Sequence, residues 1–153
     1  MITTPLTCVV DASVGIKLFI TEPLSDRADA LFTHLAADPP AQFYVPDLFF
    51  IECASILRKH VRRFGYPEDK ARVDLIHLRA LDLHKVWTAD LITDALNLAF
   101  TYPISAYDAS YVALALRLGI PLVTADEKLV PALSGTTYPV HSLRTFPIPP
   151  LGS

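Results

Sequence analysis

The chain has 153 residues, of which 52% are hydrophobic, with 13 basic and 16 acidic side chains and a net charge of −3. That length supports one domain with a real core, and the apolar content excludes a disordered tail. A negative balance removes any global attraction to nucleic acid, so binding of that kind must rest on a local patch. Pro103 and Pro121 interrupt the longest apolar runs, which excludes a bilayer span, and Met1–Leu6 lacks the basic start of a signal peptide. Cys8 and Cys53 lie in apolar stretches and read as small buried hydrophobes in a reducing cytoplasm.

Thr7–Val10 reads as a short buried strand ending at Asp11, and Ala12–Phe19 as a short helix stopped before Pro23. Ser25 is placed to N-cap a helix from Asp26 to Ala37, with Ala28, Leu31, Phe32 and Leu35 on one face. Gln42–Val45 is a second strand. Pro46-Asp47 opens a long helix to about Arg63, with Asp47 in its cap or first turn and Gly65 as its C-terminal cap. A further helix runs from Pro67 to Leu81, then a strand over His84–Trp87. Thr88 is expected to cap a helix from Ala89 to Tyr102. The next helix covers Ile104–Leu116 and closes at Gly119, followed by a strand at Leu122–Thr124. Tyr138–Ser142 suits a fifth strand, and its proline argues for an edge.

Strands alternating with helices predict a three-layer α/β/α domain around a parallel sheet of four to five strands. The domain spans residues 1–146. A Pro/Gly-rich tail, 147–153, is expected to be flexible.

Most acids fall at helix starts or in polar loops, where solvent and the helix dipole account for them. Four do not. Asp11 is the only charged side chain before Lys17, and Glu52 the only one from Leu48 to Leu57. Asp108 is alone between Ala95 and Leu116, and Asp126 ends an uncharged run that begins at Leu118. Asp11 and Asp126 follow strands, which puts them at the sheet edge where parallel α/β proteins bind ligands. Glu52 sits one turn from Leu48 and Ile56, so its face is read as turned inward. Four converging carboxylates raise one another's pKa unless a cation joins them. Oxygen donors without a His or Cys cluster suit magnesium or manganese. Ser13 and Thr124, two residues from Asp11 and Asp126, are hydroxyls able to orient the acids or hold metal-bound water. Singly, each acid and hydroxyl also reads as an ordinary helix cap or surface group. The metal reading rests on all four recurring together.

These segments resemble the PIN-domain family, and within it the VapC-like toxins of toxin–antitoxin pairs. The matching pieces are Val9-Val10-Asp11-Ala12-Ser13 and Pro46-Asp47-Leu48-Phe49-Phe50-Ile51-Glu52-Cys53-Ala54-Ser55-Ile56-Leu57. They continue with Tyr107-Asp108-Ala109-Ser110-Tyr111-Val112-Ala113-Leu114-Ala115 and Leu122-Val123-Thr124-Ala125-Asp126. Cys53 stands where many relatives carry an amide. The resemblance implies a ribonuclease using Mg2+ or Mn2+, with Asp11, Glu52, Asp108 and Asp126 as metal-binding and catalytic acids and Ser13 in the site. It also implies a homodimer inhibited by a cognate antitoxin that lies over the active-site groove.

Arg58, Lys59, Arg62 and Arg63 are the densest basic cluster and candidates for RNA phosphates. The alternative is a solvated helix end complementing the dipole, which is the ordinary reading of such a run. Tyr107 and Tyr111 flank Asp108 and suit core packing or base stacking. The five histidines show no ligand spacing. The competing function is a non-catalytic RNA-binding or regulatory module on the same fold. An aspartyl-phosphate phosphatase is disfavoured, because Ala12-Ser13 supplies no second acid after Asp11.

Overall fold

The computed structural model describes residues 4–151. Five strands form one sheet: β1 (Thr7–Val10), β2 (Gln42–Pro46), β3 (His84–Val86), β4 (Leu122–Thr124) and β5 (Val140–Ser142). Their order is β3-β2-β1-β4-β5 and every pairing is parallel. Val9 faces both Tyr44 and Leu122 in register, which makes β1 the central strand. Its residues Cys8, Val9 and Val10 are fully buried, as a strand covered on both faces requires.

The helices among the described residues are α1 (Ala12–Gly15), α2 (Ser25–Thr33), α3 (Leu48–Phe64), α4 (Glu68–Ala80), α5 (Ile92–Thr101), α6 (Ala106–Leu118) and α7 (Leu129–Ala132). The chain steps outward from β1 through β2 to β3, then returns past β1 to β4 and on to β5. Right-handed crossovers therefore put α2, α3 and α4 on one face and α5, α6 and α7 on the other. Packing agrees, since α3 lies on α1 and α4, whereas α5 lies on α6. The direction reverses between β1 and β4. That reversal opens a crevice beyond the strands' carboxyl ends, the position at which doubly wound sheets bind ligands.

Local chemistry sets the helix ends. Gly65 and Gly119 close α3 and α6 in the left-handed conformation, with φ of 67° and 66°. Three expected caps are used differently. Ser25 is the first residue of α2 rather than its cap. Leu24 holds that place at φ 72°, and the Ser25 hydroxyl ties the preceding loop, accepting from Glu22 N and donating to the Ile20 carbonyl. Asp47 precedes α3 but turns its carboxylate to Thr88, whose N–H and hydroxyl donate to it at 2.9 and 2.6 Å. Thr88 Oγ1 in turn accepts from Leu48 N, so the segment after β3 caps α3 from outside the helix. The segment after Thr88 begins as a 3-10 turn, Thr88–Leu91, before α5 starts at Ile92.

Close approach fixes the start of α3. A Cβ on Gly15 would stand 2.6 Å from the Phe49 ring, so only glycine lets α3 lie this near α1. The buried face of α3 is Phe49, Cys53 and Leu57, and Glu52 lies at its margin, half-buried rather than fully inward. Of the tail, Ile148 packs on the core and the Pro149 carbonyl lies 2.7 Å from His34 Nε2. Both cysteines are free and buried.

Candidate active site

Asp11 sits where β1 ends, in extended backbone, and N-caps α1: its Oδ1 accepts from Val14 N at 3.3 Å. The Ser13 hydroxyl donates to the same oxygen at 2.5 Å and accepts from Ala125 N at 2.9 Å. One hydroxyl thus joins the ends of β1 and β4 across the switch point. Thr124 is fully buried, its hydroxyl accepts from Asp126 N at 3.0 Å, and it also supports the Asp11 carboxylate. Asp126 follows β4 and accepts from Lys128 N at 2.9 Å, which orients its side chain at the crevice rim.

The other two acids come from opposite faces of the sheet. Asp108 lies in the first turn of α6, and its N–H is capped by Ser105 Oγ at 3.1 Å. Glu52 lies in the second turn of α3 and accepts from the Tyr111 hydroxyl at 2.5 Å. Tyr111 is one turn beyond Asp108 on α6, so this bond spans the sheet edge and draws the two helix starts together. Of the two roles open to it, core packing and base stacking, the buried Tyr111 takes the first. The hydroxyl on Glu52 is the part that no spacing rule reveals. Tyr107, by contrast, is 64% exposed.

The electrostatics shows how closely the acids associate. Asp11 is 4% exposed, and burial pushes its carboxyl up to about 7. Ser13, Thr124 and the Val14 N–H pull it down, while the Asp108 charge pushes it further up. Glu52 is raised by burial and by Asp108, against the Tyr111 hydrogen bond. Asp108 is raised by burial and by Asp126, against Ser105. Asp108 is therefore the acid to which the other three couple. None of the four makes an ion pair among the described residues. Burial and Glu52 also raise the Tyr111 phenol, which keeps it a donor.

Among the described residues no three His, Cys, Asp or Glu side chains close into a metal cage. The donor set nevertheless suits a hard divalent ion: it is anionic, made only of oxygen, uncompensated, and placed at a crevice. The basic cluster on α3 is exposed and stands further along the same helix as Glu52.

A doubly wound α/β domain of this topology places its ligand site at the carboxyl ends of the strands, where Asp11 and Asp126 lie. The PIN domain family model matches residues 8–131, a span holding all four acids, and the chain belongs to the PIN-domain family. Ribonuclease VapC3 of Pyrobaculum aerophilum is 36% identical over 125 residues, covering 79% of this chain and 90% of that protein. Among solved structures, Mycobacterium tuberculosis VapC20, described as a sarcin-ricin loop cleaving toxin, aligns with a TM-score of 0.61 at 20% identity. That alignment covers 82% of this chain and 94% of VapC20. A toxin–antitoxin complex from Klebsiella pneumoniae aligns with a TM-score of 0.60 at 17% identity, covering 89% of this chain and 97% of that one. These two likenesses concern the fold.

Proposed function

We propose that the protein is a divalent-metal-dependent endoribonuclease and the toxin of a toxin–antitoxin pair. The observation that carries this reading is the coupling of Asp11, Glu52 and Asp126 to Asp108 at the switch point, with no Lys, Arg or His among the described residues paired to any of them. The ribonuclease name of a relative at 36% identity supports the substrate class.

In this reading Asp11, Glu52, Asp108 and Asp126 hold Mg2+ or Mn2+. When bound, such an ion supplies an acidified water and neutralises charge on a phosphodiester oxygen. The chain's own residues do the positioning. Ser13 and Thr124 hold the Asp11 carboxylate at the crevice and keep β1 and β4 in register beneath it. Tyr111 fixes Glu52 by one oxygen and leaves the other free. Asp126 is steadied by the Lys128 N–H. Tyr107 offers an exposed ring beside Asp108 for a base.

The same reading includes a homodimer and a cognate antitoxin over the active-site groove; that one structural neighbour was solved as a toxin–antitoxin complex supports an antitoxin partner. Ile92, Leu96 and Phe100 form an exposed apolar stripe on α5, suited to a subunit contact. Free buried cysteines suit the cytoplasm, and no described helix is long and apolar enough to cross a membrane. The test is RNA cleavage by purified protein. Cleavage is expected with Mg2+ or Mn2+ and not with chelator or with Asp11→Asn; cleavage at full rate in that variant would overturn the assigned site.

A further inference from the structure

The basic run of α3 is one cluster in the sequence and two surfaces in the fold. Successive residues turn by about 100° around a helix. Lys59 and Arg63 therefore continue the line of Glu52, roughly 10 and 16 Å along the axis from it. Both are exposed, and neither makes an ion pair among the described residues. Arg58 and Arg62 turn away from that line. They line a groove of about 280 Å³ between α3 and α4, whose wall also carries Glu68 and Arg72. Arg72 is paired there with Glu68 and Asp69. Arg58 and Arg62 likewise make no ion pair among the described residues, but their groove already holds the Arg72–Glu68 pair, whereas Lys59 and Arg63 lie on the line of Glu52.

We infer that Lys59 and Arg63 form a phosphate track for single-stranded RNA leaving the acidic site, and that Arg58 and Arg62 take no part in it. This rests on the ribonuclease reading above. The electrostatics favours such a track. A polyanion approaching four acids on a chain of net charge −3 is repelled unless cations lie beside its path. Lys59 and Arg63 are one helical turn apart, about 6 Å along the axis. Flexible cationic side chains at that spacing reach two neighbouring phosphates. Complementing the helix dipole does not separate the two surfaces, because Arg62 and Arg63 share the last turn of α3.

The test uses the full chain carrying Asp11→Asn, titrated in chelator with a labelled single-stranded RNA oligonucleotide at several salt concentrations. K59Q/R63Q is expected to weaken binding several-fold and to flatten the plot of log affinity against log salt by about 1.4, near 0.7 for each lost phosphate contact. R58Q/R62Q should leave that slope in place. Equal losses in the two double variants, or no loss in K59Q/R63Q, would overturn the track. Thermal melts keep misfolding apart from lost binding, and all four side chains are surface groups. Magnesium-dependent cleavage by the unsubstituted protein is scored separately. Cleavage with an unchanged K59Q/R63Q slope refutes the track alone. A track without cleavage refutes the ribonuclease reading alone.

Discussion

Asp11 and Asp74 are buried to nearly the same degree, at 4% and 5% exposure, and are kept in opposite ways. Asp74 lies on the inner face of α4. It receives the Tyr66 hydroxyl and an ion pair from Lys70 at 3.6 Å, and Lys70 also donates to Tyr66 at 2.6 Å. The Tyr66 hydroxyl also lies 3.5 Å from the Phe19 carbonyl, so the cluster staples the α3–α4 turn to the segment after α1. Asp11 is given neutral donors and a second acid. Its surroundings were arranged for charge that something else must balance. A buried acid with its own cation reads as structure, and a buried acid facing another acid reads as a site.

Substitution at the two positions breaks this comparison most sharply. Asp11→Asn should reduce cleavage by about a thousandfold or more, on the scale of losing a principal catalytic group. The metal-free protein should meanwhile melt at a higher temperature, because an uncompensated buried charge is gone. Asp74→Ala should behave in reverse, losing about 2 kcal/mol of stability as the Tyr66 hydroxyl loses a charged acceptor. Cleavage per folded molecule should stay near normal. Chemical denaturation and RNA cleavage measured on the same preparations check both. A destabilised Asp11→Asn with intact cleavage would place Asp11 in the same class as Asp74.

The next largest effect is on pH. The folded Asp11 carboxyl, at about 7, lies above the ordinary 3.8. A carboxyl raised on folding contributes stability that is fully present below its unfolded pKa and is lost as pH rises through the folded value. The metal-free protein should therefore melt progressively lower as pH rises from about 4, with the loss levelling off above 7. Raised Glu52 and Asp108 act in the same direction. Asp11→Asn should flatten this profile. Calorimetric Mg2+ affinity should rise over the same interval, since the ligands must shed protons to bind.

The fold was largely legible because its signals are local. Alternating apolar runs, Gly65 and Gly119 located every strand and most helix ends. Ser25 and Thr88 open their helical segments rather than capping them, and Asp47 holds the N-cap position of α3 without a cap hydrogen bond. In all three the hydroxyl or carboxylate found a partner outside its own helix, which no window on the sequence displays. The four acids stood out as lone charges in apolar segments; of them Asp11 is buried, and Glu52, Asp108 and Asp126 are half-buried. Asp74 escaped notice because α4 is rich in charge, with Glu68, Asp69, Lys70 and Arg72 beside it, and its burial depends on Tyr66 from the preceding turn. The bond from Tyr111 to Glu52 was equally hidden, since it joins residues 59 positions apart.

That bond gives the third prediction. Tyr111→Phe keeps the ring in the core and removes only the hydroxyl. Stability should fall by about 1 kcal/mol, the usual net worth of one such hydrogen bond. Cleavage should fall about tenfold, from a Glu52 no longer held by one oxygen. The loss should appear in kcat at saturating Mg2+ and RNA, since the hydroxyl is assigned to positioning rather than to RNA contact. A change confined to KM would assign Tyr111 to the substrate instead.

Ser13→Ala should have the smallest effect and the most informative sign. The Ser13 hydroxyl stabilises the charged form of Asp11, so its removal raises an already raised carboxyl. The stability profile of the metal-free protein should shift to higher pH, and at neutral pH more Mg2+ should be needed for half-maximal cleavage. Ala125 N loses its acceptor at the same time, which loosens β4 against β1 by about 1 kcal/mol. Ser13→Thr keeps a hydroxyl and should restore the pH profile wherever its extra methyl is accommodated. If Ser13→Ala only lowers stability and leaves the pH profile unmoved, Ser13 belongs with Tyr66 as a staple rather than with Asp11.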